Sequence, residues 1–281
     1  MSLPGGRAPD LYLQEADCQI RRSSNGGRTW DALDGWECPF AFGPDGKKVF
    51  SGGSEASRSS DGGLTPEGLA LPVPGSWGTL VAHPSIDGRL FVLYGREDPP
   101  FVYVSDDQGA TWHRSSGIDT ICCGRLFFGV DQPQRVYAIG DLDTFRSADG
   151  GDTWNRCGPT DTWHSPGSAR LVVNPSNADH LLLATRGDGV LVSQDGCDSW
   201  FPSNEGLGNL FVSALVMNTD DPDVLYAGTD GGAYASFDGG DTWGEINDGL
   251  LGATVVYSIV VDPQGQAYAA TPYGVFALEK R

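Results

Sequence analysis

The sequence predicts an all-β fold built from repeated units of four short strands. An eight-residue segment at residues 236–243, Ser-Phe-Asp-Gly-Gly-Asp-Thr-Trp, has five imperfect copies upstream that start 36 to 46 residues apart. A period of this size indicates one supersecondary unit per repeat. A proline, which costs no ladder hydrogen bond at this position, follows the apolar first strand of every unit, at Pro44, Pro84, Pro133, Pro175, Pro222 and Pro263. Repeated four-stranded antiparallel units are typical of the blades of a β-propeller.

The eight-residue segments, called octets 1 to 6, explain how each unit turns. They cover residues 23–30, 59–66, 105–112, 147–154, 193–200 and 236–243. An Asp followed by Gly-Gly bends the chain sharply, because the carboxylate accepts hydrogen bonds from turn amides and glycine adopts positive φ. Three octets depart from the pattern: Asn25 replaces the Asp, Pro66 replaces the Trp and Cys197 replaces the second Gly.

The clearest repeat gives the order of the strands. Its apolar runs predict strands over residues 211–218, 223–229, 232–237 and 242–246, with octet 6 joining the third strand to the fourth. The chain starts on a second strand, at residues 11–16, and ends on a third, at residues 274–278. We expect the first and last three strands to form separate sheets. This favours seven blades in a single domain over residues 1–281, with six blades as the alternative.

The octets closely resemble the Asp-box, or bacterial neuraminidase repeat, of sialidases, some glycoside hydrolases, sortilin-type receptors and photosystem II assembly propellers. The resemblance covers most of the chain. It implies that each octet is a turn between the third and fourth strands of a blade, on the face away from the ligand site. It therefore implies structural rather than catalytic roles for the third residue of each octet, namely Asn25, Asp61, Asp107, Asp149, Asp195 and Asp238.

Charge and hydropathy narrow the choice of partners. The formal net charge of −19 disfavours nucleic acid and anionic membranes, because binding to either relies on clustered Lys and Arg. No apolar run approaches the roughly 20 residues of a membrane span, and residues 1–10 lack the apolar stretch of a signal peptide. We expect a soluble monomer, with the cytoplasm slightly favoured, that binds a glycan, peptide or protein and uses no cofactor or metal.

The six cysteines match no zinc-binding pattern. Cys122 and Cys123 are predicted to lie on one strand and so point to opposite faces, which prevents both from lining one small site. We expect mostly buried free thiols. The disulfide most worth testing joins Cys157 to Cys122 or Cys123.

The loops opposite the octets, around the mouth of the predicted channel, form the default ligand site. Three tryptophans in these loops belong to no octet, and large flat rings beside carboxylates are typical of sugar-binding clefts. The alternative is that these rings plug the channel or pack the blade ends. The predicted ligand-binding residues are Trp36, Trp77, Arg96, Trp163, His164 and Arg186.

Two enzymatic functions are the alternatives to a binding role. A sialidase needs three arginines that converge on a carboxylate, and the available arginines are Arg96, Arg125, Arg170 and Arg186. Its Arg-Ile-Pro motif is missing, however, and no convincing pair of Tyr and Glu is present. Another glycoside hydrolase would use two carboxylates across a cleft, with Glu37, Glu97 and Asp188 as candidates. The sequence therefore favours a noncatalytic binding or scaffolding propeller, with a glycoside hydrolase as the alternative.

Overall fold

A computed structural model of the protein describes residues 11–14, 19–25, 27–36, 40–53, 55–73, 78–94, 101–118, 125–129, 132–139, 144–158, 170–250, 255–262 and 265–278. The regular structure of these residues is entirely β, arranged in seven antiparallel sheets. The fold class is an all-β, seven-bladed propeller, as predicted. No helix capable of spanning a membrane occurs in the described ranges.

The chain divides into two compact units, Met1–Ser115 and Ser116–Arg281, and each is described by itself. A single domain over residues 1–281 stays a prediction. The first unit contains sheets 1 to 3. Sheet 1 consists of β1 Leu11–Gln14, β2 Ile20–Ser23 and β3 Asp31–Leu33. Sheet 2 consists of β4 Phe40–Phe42, β5 Val49–Ser51, β6 Ser57–Ser59 and β7 Glu67–Gly68. Sheet 3 consists of β8 Thr79–Ala82, β9 Leu90–Tyr94, β10 Phe101–Ser105 and β11 His113–Arg114.

The second unit contains sheets 4 to 7. Sheet 4 consists of β12 Arg125–Phe128, β13 Val136–Ile139, β14 Thr144–Ser147 and β15 Asn155–Cys157. Sheet 5 consists of β16 Arg170–Asn174, β17 Asn177–Ala184, β18 Val190–Ser193 and β19 Phe201–Pro202. Sheet 6 consists of β20 Val212–Met217, β21 Leu225–Thr229, β22 Gly232–Ser236 and β23 Gly244–Glu245. Sheet 7 consists of β24 Ser258–Val261, β25 Ala267–Thr271 and β26 Gly274–Ala277.

Strands adjacent in sequence are adjacent in each sheet, and in sheets 1 to 6 the octet connects the last two strands. Sheets 1 and 7 have three strands in the described part of the chain, and each pairs only within itself. This arrangement confirms seven sheets rather than six.

The hydrophobic core lies between successive sheets. Leu182 of sheet 5 is buried with Val212, Leu225 and Trp243 of sheet 6. Similar clusters join sheets 4 and 5, sheets 6 and 7 and, in the first unit, sheets 2 and 3. In sheets 3 to 6 both faces are apolar, so the second strand of each sheet reads as a nearly continuous apolar run rather than as an alternating one.

Arginines add polar links between some successive sheets. Arg58, which precedes octet 2, donates from Nη1 to the carbonyl oxygen of Gln108 in octet 3, at 3.1 Å. Arg146 precedes octet 4 and donates from Nη1 to the carbonyl oxygens of Asp195 and Gly196 in octet 5, at 3.0 and 2.8 Å. An arginine at this position therefore satisfies carbonyl groups in the turn of the following sheet.

The predicted disulfide pairing was wrong. Cys157 of β15 is bonded to Cys197 of octet 5, with Cα atoms 5.3 Å apart, whereas Cys122 and Cys123 lie outside the described residues. The fifth octet position points at the preceding sheet, since a Cβ added to Gly240 of octet 6 would meet Leu182 at 2.6 Å. A cysteine in place of this glycine therefore reaches the last strand of sheet 4, although Cys197 must adopt a φ of 80° to do so.

Candidate functional site

Octet 4 shows how the octet carboxylates are held. Ser147 Oγ donates to Asp149 Oδ1 at 2.7 Å and accepts the Gly151 amide at 2.8 Å. Asp149 also accepts the amide and hydroxyl of Thr153, at 2.9 and 2.5 Å. The same set of contacts recurs in octets 2, 3, 5 and 6. In octet 1, Asn25 makes the corresponding contacts through its side-chain amide.

These hydrogen bonds keep the octet carboxylates ionised. Hydrogen bonds from Thr111 and Ser105 lower the pKa of Asp107 to about 2. Partial burial raises the pKa of Asp149, but hydrogen bonds from Thr153 and Ser147 outweigh it and bring the pKa to about 2. Hydrogen bonds within the turn likewise lower the pKa values of Asp61, Asp195 and Asp238. A carboxylate that is ionised and occupied by its own turn is a poor proton donor to a substrate.

Trp36, a predicted ligand contact, lies against octet 2. Its indole Nε1 donates to the carbonyl oxygen of Gly63 at 2.9 Å, and its half-buried ring lies 5.5 Å from that of Phe40. In octet 1, the octet's own Trp30 donates to the equivalent carbonyl of Gly27, at 3.1 Å. Trp36 therefore makes the contact that octet 2, with Pro66 in place of its tryptophan, cannot make for itself. A ligand contact by Trp36 stays a prediction.

Arg186 and Asp188 occupy the turn between β17 and β18. Arg186 is exposed, and its Nη2 lies 3.5 Å from a carboxylate oxygen of Asp230, in the corresponding turn of sheet 6. The backbone of Asp188 is fixed at both ends, since its amide donates to Thr185 Oγ1 at 3.0 Å and its carbonyl accepts Asn204 Nδ2 at 2.9 Å. The structure thus brings Arg186 beside Asp230. The catalytic role considered for Asp188 stays a prediction.

Aromatic side chains lie exposed near these turns. Phe211 is 49% exposed, and its carbonyl accepts the amide of Asp230. Tyr257 enters sheet 7 and is 56% exposed, and Tyr273 occupies the turn between β25 and β26. Phe211 was not among the predicted residues. It could have been found, because an aromatic residue directly before a first strand sits at the end of the sheet opposite the octet.

Two arginines mark the starts of neighbouring first strands. Arg125 begins β12 and pairs with Ile139, while Arg170 begins β16 and pairs with Ala184, so the two hold equivalent places in sheets 4 and 5. Partial burial lowers the pKa of Arg170, and the positive charge of Arg125 lowers it further. Neither guanidinium has an acidic partner among the described residues. Of the four arginines considered for a carboxylate site, Arg125 and Arg170 thus hold equivalent places in adjacent sheets, and Arg96 lies outside the described residues.

The remaining predicted site residues lie outside the described residues: Glu37, Trp77, Arg96, Glu97, Trp163 and His164. Their predicted roles stay predictions. Within the described ranges, no group of three His, Cys, Asp or Glu side chains is arranged to hold a metal ion.

The fold and these surfaces define the class of protein, a seven-bladed propeller with cationic and aromatic groups at the strand ends opposite the octets. No known protein-family model matches the chain. In sequence, the chain is 27% identical over 205 residues to a xyloglucanase of Paenibacillus sp. The match covers 64% of this chain and 19% of the xyloglucanase, so it spans about a fifth of that relative.

Solved structures of two kinds resemble the chain. A GH74 enzyme of Niastella koreensis superposes with a TM-score of 0.62 at 17% identity, over 95% of this chain and 42% of the enzyme. YCF48 bound to D1 peptide superposes with a TM-score of 0.67 at 16% identity, over 96% of this chain and 89% of YCF48. YCF48 from Cyanidioschyzon merolae gives the same TM-score at 15% identity. The structural neighbours thus include glycoside hydrolases and a peptide-bound propeller, and at these identities the likeness shows the fold alone.

Proposed function

We propose that the protein is a noncatalytic binding propeller whose octets are Asp boxes and whose ligand is a peptide or protein segment with an exposed carboxylate. The observation that carries the proposal is the pair formed by Arg125 and Arg170 at the starts of β12 and β16. Guanidinium groups bind carboxylates through paired, charge-assisted hydrogen bonds. Two of them at equivalent ends of adjacent sheets would be available to bind one carboxylate.

The charge balance of the chain makes this pair unusual. Acidic residues outnumber basic ones by 37 to 18, so most arginines have an acidic neighbour available, as Arg135 and Arg146 do. Placing Arg125 near Arg170, with no acidic partner for either one among the described residues, costs electrostatic free energy. An anionic ligand would offset that cost when it binds.

The comparisons support a peptide as the ligand class. The chain aligns with nearly all of the YCF48 structure that holds D1 peptide, whereas it aligns with less than half of the GH74 enzyme. In addition, every described carboxylate with a shifted pKa is shifted downward, opposite to the shift that a glycosidase needs in its general acid.

A glycoside hydrolase is the second candidate, and the sequence match to a xyloglucanase favours it. In that case the catalytic carboxylates would come from Glu37, Glu97 or Asp188. The protein would then release reducing ends from xyloglucan, and removal of one of these carboxylates would abolish release.

The test is fluorescence anisotropy with labelled peptides, namely D1 peptide with a free C-terminal carboxylate and the same peptide amidated. We expect the free acid to bind more tightly, and Arg170→Gln and Arg125→Gln each to weaken its binding about tenfold or more, as expected for loss of a charge-assisted pair. Arg186→Gln is the matched control, because Arg186 already faces Asp230. Equal binding of the acid and the amide, or wild-type affinity in both arginine variants, would refute the carboxylate site. Xyloglucan turnover would establish the second candidate instead.

A further inference from the structure

Octet 3 differs from octets 4, 5 and 6 at two positions. Its fourth residue is Gln108, where those octets have a glycine with a φ between 68° and 77°. Gln108 adopts a φ of 62°, a backbone conformation that is unfavourable for a residue with a Cβ atom. Its sixth residue is Ala110, where octets 4, 5 and 6 have an aspartate. Octet 3 therefore has an added amide side chain and lacks a carboxylate.

The carboxylate that octet 3 lacks is present in octet 5, beside Arg146. The sixth residue of octet 5 is Asp198, and its Oδ2 accepts hydrogen bonds from Nη1 and Nη2 of Arg146, at 3.2 and 3.3 Å. Arg58 is the equivalent arginine of sheet 2, since each of the two precedes an octet and donates from Nη1 to a carbonyl group of the next one. Octet 3 has only the methyl group of Ala110 at this place. Nη2 of Arg58 has no partner in the described part of the chain.

A pocket of about 370 Å³, called the octet 3 pocket, lies at this place. Its lining includes Arg58, Ser60, Glu67, Gln108 and Ala110. The Arg58 side chain is 35% exposed, so its guanidinium is partly shielded from water. The side chains of Ser60 and Gln108 make no hydrogen bond with any described residue. A volume of this size is at the lower end of the range for small-molecule sites.

The acidic side chains of the pocket leave a place for an anion. Glu67, which is 73% exposed, lies 3.9 Å from Nε of Arg58, whereas Asp198 meets its own arginine at Nη1 and Nη2. Asp107 is occupied by hydrogen bonds within its own turn. Octets 4, 5 and 6 each have an aspartate at both the third and the sixth positions. Asp107 therefore does not exclude a second carboxylate at the place of Ala110.

We propose that the octet 3 pocket binds a small hydroxylated carboxylic acid. The carboxylate of this ligand takes the place that Asp198 holds in octet 5, and it accepts charge-assisted hydrogen bonds from Nη1 and Nη2 of Arg58. Its hydroxyl groups bond to the Gln108 amide and the Ser60 hydroxyl, both of which donate and accept hydrogen bonds. The pocket shares no residue with the proposed peptide site.

The test compares glucuronate, a hydroxylated carboxylic acid, with glucose, its neutral counterpart, in titrations followed by saturation-transfer NMR of the ligand. The titrations use the wild-type protein and the Arg170→Gln protein, because the arginine pair also attracts carboxylates. We expect saturable binding of glucuronate and none of glucose in both proteins. Arg58→Gln should weaken glucuronate binding about tenfold or more. Arg146→Gln is the matched control and should leave it unchanged.

Two substitutions that restore the residues of the other octets keep the test independent of folding. Ala110→Asp supplies the carboxylate from the chain itself, so it should abolish glucuronate binding and raise the midpoint of thermal unfolding. Gln108→Gly removes the amide and favours the positive φ, so it should weaken binding a few-fold without lowering the midpoint. Binding lost in a protein at least as stable as wild type reports on the pocket itself.

Three results would overturn the proposal. The first is the absence of saturable glucuronate binding up to about 10 mM. The second is equal binding of glucose and glucuronate, which would remove the role of the carboxylate. The third is wild-type affinity in both the Ala110→Asp and the Arg58→Gln proteins, which would place the bound acid outside the octet 3 pocket.

Discussion

The disulfide between Cys157 and Cys197 offers a quantitative test of the octet geometry. The bond closes a loop of 40 residues, and the chain-entropy relation gives about 4 kcal/mol of stabilisation for a loop of that length. Cys197 also holds a φ of 80°, which costs a non-glycine residue about 1 kcal/mol relative to glycine. Removal of the bond should therefore cost less when residue 197 becomes glycine than when it becomes alanine.

Two double variants separate these effects. Cys157→Ala with Cys197→Ala should lower the free energy of unfolding by about 4 kcal/mol, and Cys157→Ala with Cys197→Gly by about 3 kcal/mol. Both remove the bond and the same side chain at Cys157, so their difference reports the backbone conformation of residue 197 together with the one methyl group of alanine. Urea unfolding followed by tryptophan fluorescence measures both, with reduced wild-type protein as a reference.

Either of two outcomes would refute the reasoning. If the alanine and glycine variants unfold at the same urea concentration, residue 197 is not strained in the way its φ angle indicates. If a reducing agent leaves the wild-type midpoint unchanged, the bond contributes nothing to stability or does not form.

Three further predictions follow from individual contacts. Because the folded-state pKa of Asp149 is lowered to about 2, its contribution to stability is present above its unfolded pKa of about 4 and is lost as the pH falls towards 2; Asp149→Asn should flatten the acid limb of the unfolding curve. Trp36→Phe should destabilise the protein by about 1 kcal/mol through loss of the hydrogen bond to Gly63, and Trp36→Ala by more, as measured by thermal unfolding. Tyr137→Phe should cost about 1 to 2 kcal/mol, whereas Tyr226→Phe should be neutral or stabilising, because only the Tyr137 hydroxyl is paired.

A specific experimental result would contradict each of these three predictions. An acid limb unaltered in Asp149→Asn would mean that the octet carboxylate does not set acid stability. A Trp36→Phe protein as stable as wild type would remove the assigned role of the indole amide. Equal losses in the two tyrosine variants would mean that the Tyr226 hydroxyl finds a partner in solution.

The strand plan could be predicted from the sequence because local chemistry determines it. The Asp-Gly-Gly turn and the proline after each first strand mark both ends of a repeat, so the sheets follow without knowledge of any distant contact. The number of sheets, seven, could also be predicted from the sequence, since β1 to β3 are connected too tightly to exchange partners with β24 to β26. These conclusions rest on short-range geometry.

Contacts between sheets could not be predicted in the same way. Cys157 and Cys197 come together because the fifth octet position points at the preceding sheet, a direction that no spacing in the sequence reveals. Trp36 is a similar case: its partner is an octet 27 residues further along the chain, as measured to Gly63. The relation between Arg125 and Arg170 is a third case. Each begins the first strand of its sheet, and this equivalence becomes visible only once the bounds of β12 and β16 are known.

The arginines before octets 2 and 4 have a consequence for the modular history of the chain. A molecule made by duplicating one unit could at first exchange or lose units freely, since the contact between every two neighbouring sheets would be the same. Arg58 and Arg146 instead bond to the octet of the following sheet. The same position before octets 3, 5 and 6 is apolar, at Val104, Val192 and Ala235. The contacts between neighbouring sheets have thus become non-equivalent, because two of them include a guanidinium bonded to the following octet where three others have an apolar side chain.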